Sequence, residues 1–133
     1  MISHPTSAEL LDAVSRFLEQ QVAPQMKDRD AFLVRVAVNA LATVKREGGA
    51  GAAMETGASS RLVDLLGHDG CFTDLNRELC EAIRAGAIAD DDPRLVAHLR
   101  ASAIDRIGID QPNYSGLKQA LLAGGTDGAG RTR

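Results

Sequence analysis

Apolar residues recur every three to four positions along most of the chain, a spacing that is typical of α-helices. The densest run lies over residues 31–47, where apolar side chains cover almost the whole circumference of a predicted helix. A helix that is apolar nearly all round lies inside a bundle rather than on its surface. We therefore predict an all-α, single-domain bundle of about five helices around a central apolar helix, residues 31–47.

Capping residues, prolines and glycines divide the rest of the chain. Thr6 and Glu9 have the spacing of a capping box and predict a first helix over about 7–21, which Pro24 ends. Glycines at 48, 49 and 51 predict the end of the central helix. A third predicted helix is centred on residues 61–66, a fourth covers 73–86 and a fifth covers 93–107, and residues 115–122 can form one or two further turns. Residues 1–122 are then one helical domain, and residues 123–133, which lack apolar periodicity, are predicted to be a disordered tail.

Composition narrows the class of protein further. Aromatic residues make up only 3% of the chain and the net charge is -3, with both signs interspersed, so we expect no nucleic-acid binding. No apolar run approaches the length of a membrane span, and the N-terminus does not have the pattern of a secretion signal, so we expect a cytoplasmic protein. Cys71 and Cys80 are expected to be reduced thiols.

Two polar residues, Arg35 and Asn39, interrupt the central helix and lie four apart, on one face. One interpretation is an anion or carboxylate site, in which Arg35 makes a bidentate contact and Asn39 orients the ligand. The other is a buried network in which Arg35 pairs with Asp105 or Asp12. We favour the second, because buried polar groups are usually satisfied internally.

Other polar clusters have simpler explanations than catalysis. Residues 90–92 are three aspartates that suit helix capping better than cation binding. The turn at 68–71 holds His and Cys but lacks a second ligand pair, so we expect no zinc site, and no cofactor is indicated elsewhere. His98 is expected to be a partly exposed helix residue. Tyr114, the only tyrosine, is expected to pack back over the preceding helix, with a catalytic role as the alternative.

Four segments in combination resemble a bacterial family of small proteins of unknown function. They are PTSAELL (5–11) with FL (17–18), RVAVNAL (35–41) ending RE (46–47), IRAG (83–86), and LR (99–100) through IDQPNY (109–114). Members are typically encoded beside an aminoglycoside-phosphotransferase-like kinase and an acyl-CoA dehydrogenase. The resemblance covers about residues 5–118. It implies an accessory role in acyl-CoA or related metabolism, with that kinase or dehydrogenase as partner. The candidate ligand-binding residues Arg35, Asn39 and Tyr114 fall within the matched segments.

Two functions are consistent with this sequence. The first is a non-catalytic accessory protein that binds another protein, and self-association as a homo-oligomer is compatible with it. The second is a binding protein or enzyme for an anionic or acyl-CoA-type metabolite, with Arg35 as the anion anchor. Because no nucleophile, metal or phosphate-loop pattern is present in the sequence, we favour the first.

Overall fold

The computed structural model describes residues 4–124, and this part of the chain is all-α, without strands, as predicted. Its five helices are α1 (Ser7–Phe17), α2 (Asp28–Leu66), α3 (Phe72–Arg84), α4 (Pro93–Asp110) and α5 (Ser115–Gly124). None of the described helices is both long enough and apolar enough to cross a membrane. The tail expected over 123–133 begins inside α5 for its first two residues, and the rest lies outside the described residues.

The start of α1 is fixed by the predicted capping box. The Thr6 hydroxyl accepts a hydrogen bond from the Glu9 amide at 3.2 Å, and the Glu9 carboxylate accepts one from the Thr6 amide at 2.7 Å. These two bonds satisfy amides that the first turn of a helix leaves without partners. After Phe17 the chain continues through a π-helical turn, Leu18–Val22, and a short 3-10 turn, Ala23–Gln25, which contains Pro24.

The predicted end of the central helix at Gly48, Gly49 and Gly51 is wrong, because α2 continues through all three to Leu66. Glycine inside a helix costs about 1 kcal/mol relative to alanine, which weakens a long helix without ending it. The helix ends only before Gly67, whose φ of 83° is the left-handed conformation that glycine adopts most readily. The two helices predicted over 31–47 and around 61–66 are therefore one.

Contacts along the chain define two compact units, Met1–Ala52 and Ala53–Arg133. The domain predicted over residues 1–122 is described below as these two units, which share the continuous helix α2. Unit 1 contains α1 and the first part of α2, and unit 2 contains the last part of α2 with α3, α4 and α5.

The core of unit 2 is a cluster of leucines from three helices. Its fully or almost fully buried members are Leu62 and Leu65 of α2, Leu75 and Leu79 of α3, and Leu95 of α4. Half-buried apolar side chains surround them, including Phe72 and Ile88. Burying a leucine contributes about 1.5–3 kcal/mol, so this cluster is the main source of stability in unit 2.

The segment 31–47 is helical, but the prediction that other helices enclose it is wrong. Every residue from 31 to 47 is exposed or half-buried, and the buried residues of α2 are Ala58, Leu62 and Leu65 instead. In unit 1 the segment has only α1 and the following turns beside it, and one neighbouring helix can cover only one side of another. An apolar circumference favours burial on all sides, and unit 1 by itself does not provide it.

His98, expected to be partly exposed, is 4% exposed on α4, so that expectation is wrong. It follows the buried Leu95 by three positions and therefore lies on the same face of α4. Burial and the nearby Arg61 guanidinium both lower the pKa of His98, because each disfavours the charged imidazole. The Arg61 guanidinium also donates to Asp105 at 3.4 Å and lies 3.5 Å from the Ser102 hydroxyl.

Replacing Gly48 and Gly49 with alanine is expected to stabilise the protein. An added Cβ at either position meets nothing within 4 Å, so only the gain in helix propensity, about 0.5–1 kcal/mol for each, remains. Urea unfolding of the double variant measures this gain. Gly67→Ala is the control and is expected to lose stability, because its φ is positive. A double variant less stable than the wild type would contradict a continuous α2.

Lowering the pH from 7.5 to 5.5 is expected to destabilise the wild type relative to His98→Leu. The folded state holds the pKa of His98 below its unfolded value, so the unfolded chain binds the proton more readily. The contribution of His98 is therefore complete above about pH 6.5 and falls as the pH drops through that value. Urea unfolding at both pH values measures the difference between the two proteins.

The comparison is internally controlled. A hydrogen bond from His68 to Glu78 raises the pKa of His68, which titrates in the opposite sense, and both proteins retain it. Equal pH dependence in the wild type and the His98→Leu variant would show that His98 is not held neutral in the folded protein.

Candidate partner-binding surface

The two helices of unit 1 form an antiparallel hairpin. The Lys45 ammonium of α2 lies 2.7 Å from both carboxylate oxygens of Asp12 in α1, and the connecting turns lie at the other end of both helices. Both side chains of this ion pair are almost half exposed, so it contributes little energy. The ion pair is informative about geometry, because it indicates which positions of α1 lie beside which positions of α2.

Each helix of the hairpin has two apolar stripes. On α1 the half-buried stripe contains Leu11 and continues to Leu18 in the following π-helical turn, and an exposed one contains Leu10, Val14 and Phe17. On α2 the half-buried stripe contains residues 34, 38 and 41, and an exposed one contains Leu33, Val36, Ala40 and Val44, with Phe32 at its edge. The half-buried stripes are the ones that two paired helices shield from water.

Both exposed stripes lie on the same side of the hairpin. Successive residues of an α-helix are about 100° apart. On that basis the exposed stripe is rotated by about 90° from Leu11 on α1 and by about 120° from residues 34, 38 and 41 on α2, in the same sense on both helices. Because the helices are antiparallel, two rotations of the same sense and similar size bring the stripes to one side. We call this surface, formed by Leu10, Val14, Phe17, Phe32, Leu33, Val36, Ala40 and Val44, the hairpin face.

The hairpin face is apolar and lies in water. Its seven large side chains are 46–57% exposed. Scattered exposed apolar residues are normal, but a continuous apolar surface usually marks an interaction site. Leu10, Val14 and Phe17 have the same helical spacing as core residues, so periodicity alone does not show that the hairpin face is exposed. The available signal was the length of unit 1, since a helix hairpin of about 50 residues has no third element to cover this side.

Arg35 and Asn39 are both exposed, and Asn39, seven residues after Phe32, lies next to the Phe32 edge of the hairpin face. The predicted buried network is wrong. Asp12 pairs with Lys45, and Asp105 pairs with Arg61, so neither expected carboxylate is bound to Arg35. Within residues 4–124 the guanidinium of Arg35 has no hydrogen bond or ion pair. An anion site at Arg35 and Asn39 stays a prediction.

Tyr114 belongs to unit 2 and lines an open groove of about 420 Å³ along the last turns of α4. The other lining residues are Ala103, Arg106, Ile107, Asp110 and Gln111. The Tyr114 ring lies against Gly116, where a Cβ would approach a ring carbon to 2.5 Å, so only glycine fits there without a shift. The groove carries one acidic and one basic side chain, and this mixture specifies no ligand class.

The other polar clusters singled out in the sequence have structural partners. Asp92 accepts a hydrogen bond from the Arg94 amide at 2.8 Å and caps α4, which favours the capping interpretation of residues 90–92. His68 contacts Glu78 at 3.0 Å, and Cys71 precedes α3 with its thiol 3.0 Å from Asp74. Between residues 4 and 124, no three His, Cys, Asp or Glu side chains are grouped so as to hold a metal ion.

Comparison with known proteins identifies the family of this chain. No curated protein and no solved structure matches it significantly. Residues 24–114, more than half of the chain, match the profile of a domain of unknown function, DUF6285. The match includes α2, α3 and α4 and therefore most of both units. The chain belongs to the DUF6285 family.

Proposed function

We propose that this chain is a non-catalytic accessory protein that binds other proteins through the hairpin face and acts in the cytoplasm. The supporting observation is the continuous apolar surface on one side of unit 1, where seven large side chains are 46–57% exposed. Covering such side chains contributes about 25 cal/mol per Å² of apolar area removed from water. A binding protein needs a surface of this kind and does not need a catalytic group.

The resemblance described from the sequence supports the choice of candidate partners. The phosphotransferase-like kinase and the acyl-CoA dehydrogenase encoded near family members are the first two to test. Binding either of them would link the chain to acyl-CoA metabolism. That link depends on the resemblance, whereas the location of the binding surface depends on the exposure of the hairpin face.

An anionic or acyl-CoA-type metabolite bound by Arg35 is the alternative. Its support is that the Arg35 guanidinium is exposed and unpaired within the described residues. Tyr114, the third residue of the candidate ligand site, belongs to unit 2, and the groove beside it is lined by residues of that unit. The exposed hairpin face is therefore stronger support for a binding function than the unpaired guanidinium of Arg35 is.

Val36→Ser combined with Val44→Ser is expected to weaken capture of a co-expressed kinase or dehydrogenase by at least about tenfold. Each substitution removes an apolar group worth about 1 kcal/mol or more when covered. Affinity capture from cells that express all three proteins, followed by titration of the recovered partner, measures the loss. Val96→Ser is the matched control, since Val96 is 50% exposed and Val36 is 46% exposed, but Val96 lies in unit 2.

Capture that is equal for the double variant and the wild type would contradict binding through the hairpin face. Failure of the wild type to capture either protein would remove the proposed link to the kinase and the dehydrogenase.

Arg35→Ala is expected to change the free energy of unfolding by less than about 0.5 kcal/mol, because the side chain is exposed and makes no contact that folding requires. Arg61→Ala is the control and is expected to lose more, since it leaves Asp105 without its partner. Urea unfolding measures both. A loss for Arg35→Ala as large as that for Arg61→Ala would show that Arg35 has a structural role. Calorimetric titration of the wild type with acyl-CoA tests the metabolite hypothesis directly.

A further inference from the structure

We propose that the partner on the hairpin face is a second copy of this chain, and that two hairpins together form a four-helix bundle. This inference rests on the proposed function, because it identifies one occupant of the same surface. The closed arrangement follows from the geometry of unit 1. A hairpin provides two helices with one uncovered apolar side, and two such sides placed face to face enclose a common core.

Unit 1 contains no buried residue among those that the structure describes. Below about 70–80 residues a single hydrophobic core rarely supplies enough stability by itself, and natural domains of that size add disulfides, a metal, oligomerisation or exceptionally good helix packing. A second hairpin supplies what is missing, namely apolar side chains opposite Leu10, Val14, Phe17, Val36 and Val44. The same addition accounts for the apolar circumference of residues 31–47, because those residues are then covered on two sides.

The charge of unit 1 favours a second copy over a partner of opposite charge. Residues 1–52 carry six acidic and six basic side chains, whereas the whole chain has a net charge of -3. Two neutral units approach each other without net repulsion, while a surface selected for a charged partner usually carries the opposite charge. The six acids are Glu9, Asp12, Glu19, Asp28, Asp30 and Glu47, and the six bases are Arg16, Lys27, Arg29, Arg35, Lys45 and Arg46.

The sizes of the side chains on the hairpin face are also self-complementary. Asp12 and Lys45 are level with each other, so Phe17, five residues after Asp12, is level with Ala40, five residues before Lys45. By the same count Val14 is within one residue of Val44. A two-fold axis parallel to the helices places α1 of one copy over α2 of the other at equal height. Phe17 then lies over Ala40, a large side chain against a small one as a packed core requires, and Val14 lies over Val44.

The mass of the full chain in solution tests this inference. Size-exclusion chromatography with light scattering at about 100 µM, well above the Kd of an ordinary stable dimer, is expected to give twice the monomer mass of 14.0 kDa. Val36→Ser with Val44→Ser is expected to raise the dimer dissociation constant by at least about tenfold. Val96→Ser, the matched control in unit 2, is expected to leave it unchanged.

A second variant separates specific packing from general adhesiveness. Ala40→Phe makes the hairpin face more apolar but fills the space assigned to Phe17 of the second copy. It is expected to weaken the dimer, and adding Phe17→Ala is expected to restore it. Because Ala40 is exposed, the monomer can accept the larger side chain, and circular dichroism checks that each variant remains helical. Tighter association of Ala40→Phe would overturn the proposed arrangement.

The remaining outcomes distinguish this inference from the proposed function. A monomeric wild type whose hairpin-face variants lose capture of the kinase or dehydrogenase overturns the inference and leaves the proposed function standing. A dimer that is broken by the hairpin-face variants, without capture of any other protein, supports the inference and removes those two partners. A monomeric wild type whose melting temperature falls in Val36→Ser shows that the chain covers the hairpin face itself, which overturns both.

Discussion

Two helices packed side by side cannot enclose a side chain. Each covers only the strip of the other that faces it, and everything beyond that strip meets water unless a third element is present. Unit 1 of this protein is subject to that limit, because it is a hairpin with apolar residues on two sides of each helix. Unit 2 avoids it by contributing leucines from α2, α3 and α4 to one cluster, of which Leu62 is completely buried.

The difference between the units shows which structural features local sequence patterns predict and which they do not. Local sequence patterns predicted the class of fold, the capping box at Thr6 and the helix that begins after residues 90–92, since each depends on residues close in the chain. The location of the core was wrong because it depends on which helices meet. Residues 31–47 are more apolar than the last turns of α2, yet Leu62 and Leu65 are buried and Val36 is not. Periodicity identifies a face that favours burial and leaves open what buries it.

The partners of the polar residues also depend on which helices meet, and local sequence patterns did not predict them. Arg35 stood out because it interrupts an apolar run, and Asp105 was a reasonable partner by charge. The structure pairs Asp105 with Arg61, which is also on α2 but in the other unit. His98 was predicted to be partly exposed, but its position three residues after Leu95 places it on the buried face of α4. A histidine three residues after a buried leucine lies on the same helix face and is therefore itself a candidate for burial.

The glycines at 48, 49 and 51 remain inside α2, where the units Met1–Ala52 and Ala53–Arg133 adjoin along the chain. Residues with the lowest propensity for helix among non-proline types thus occupy the stretch where the division falls. Hydrogen exchange follows local opening, which is easiest where few side chains reinforce the backbone. Deuterium should enter the amides of this stretch of α2 before it enters those near Leu62. The helix of 39 residues then has two segments with different rates of hydrogen exchange.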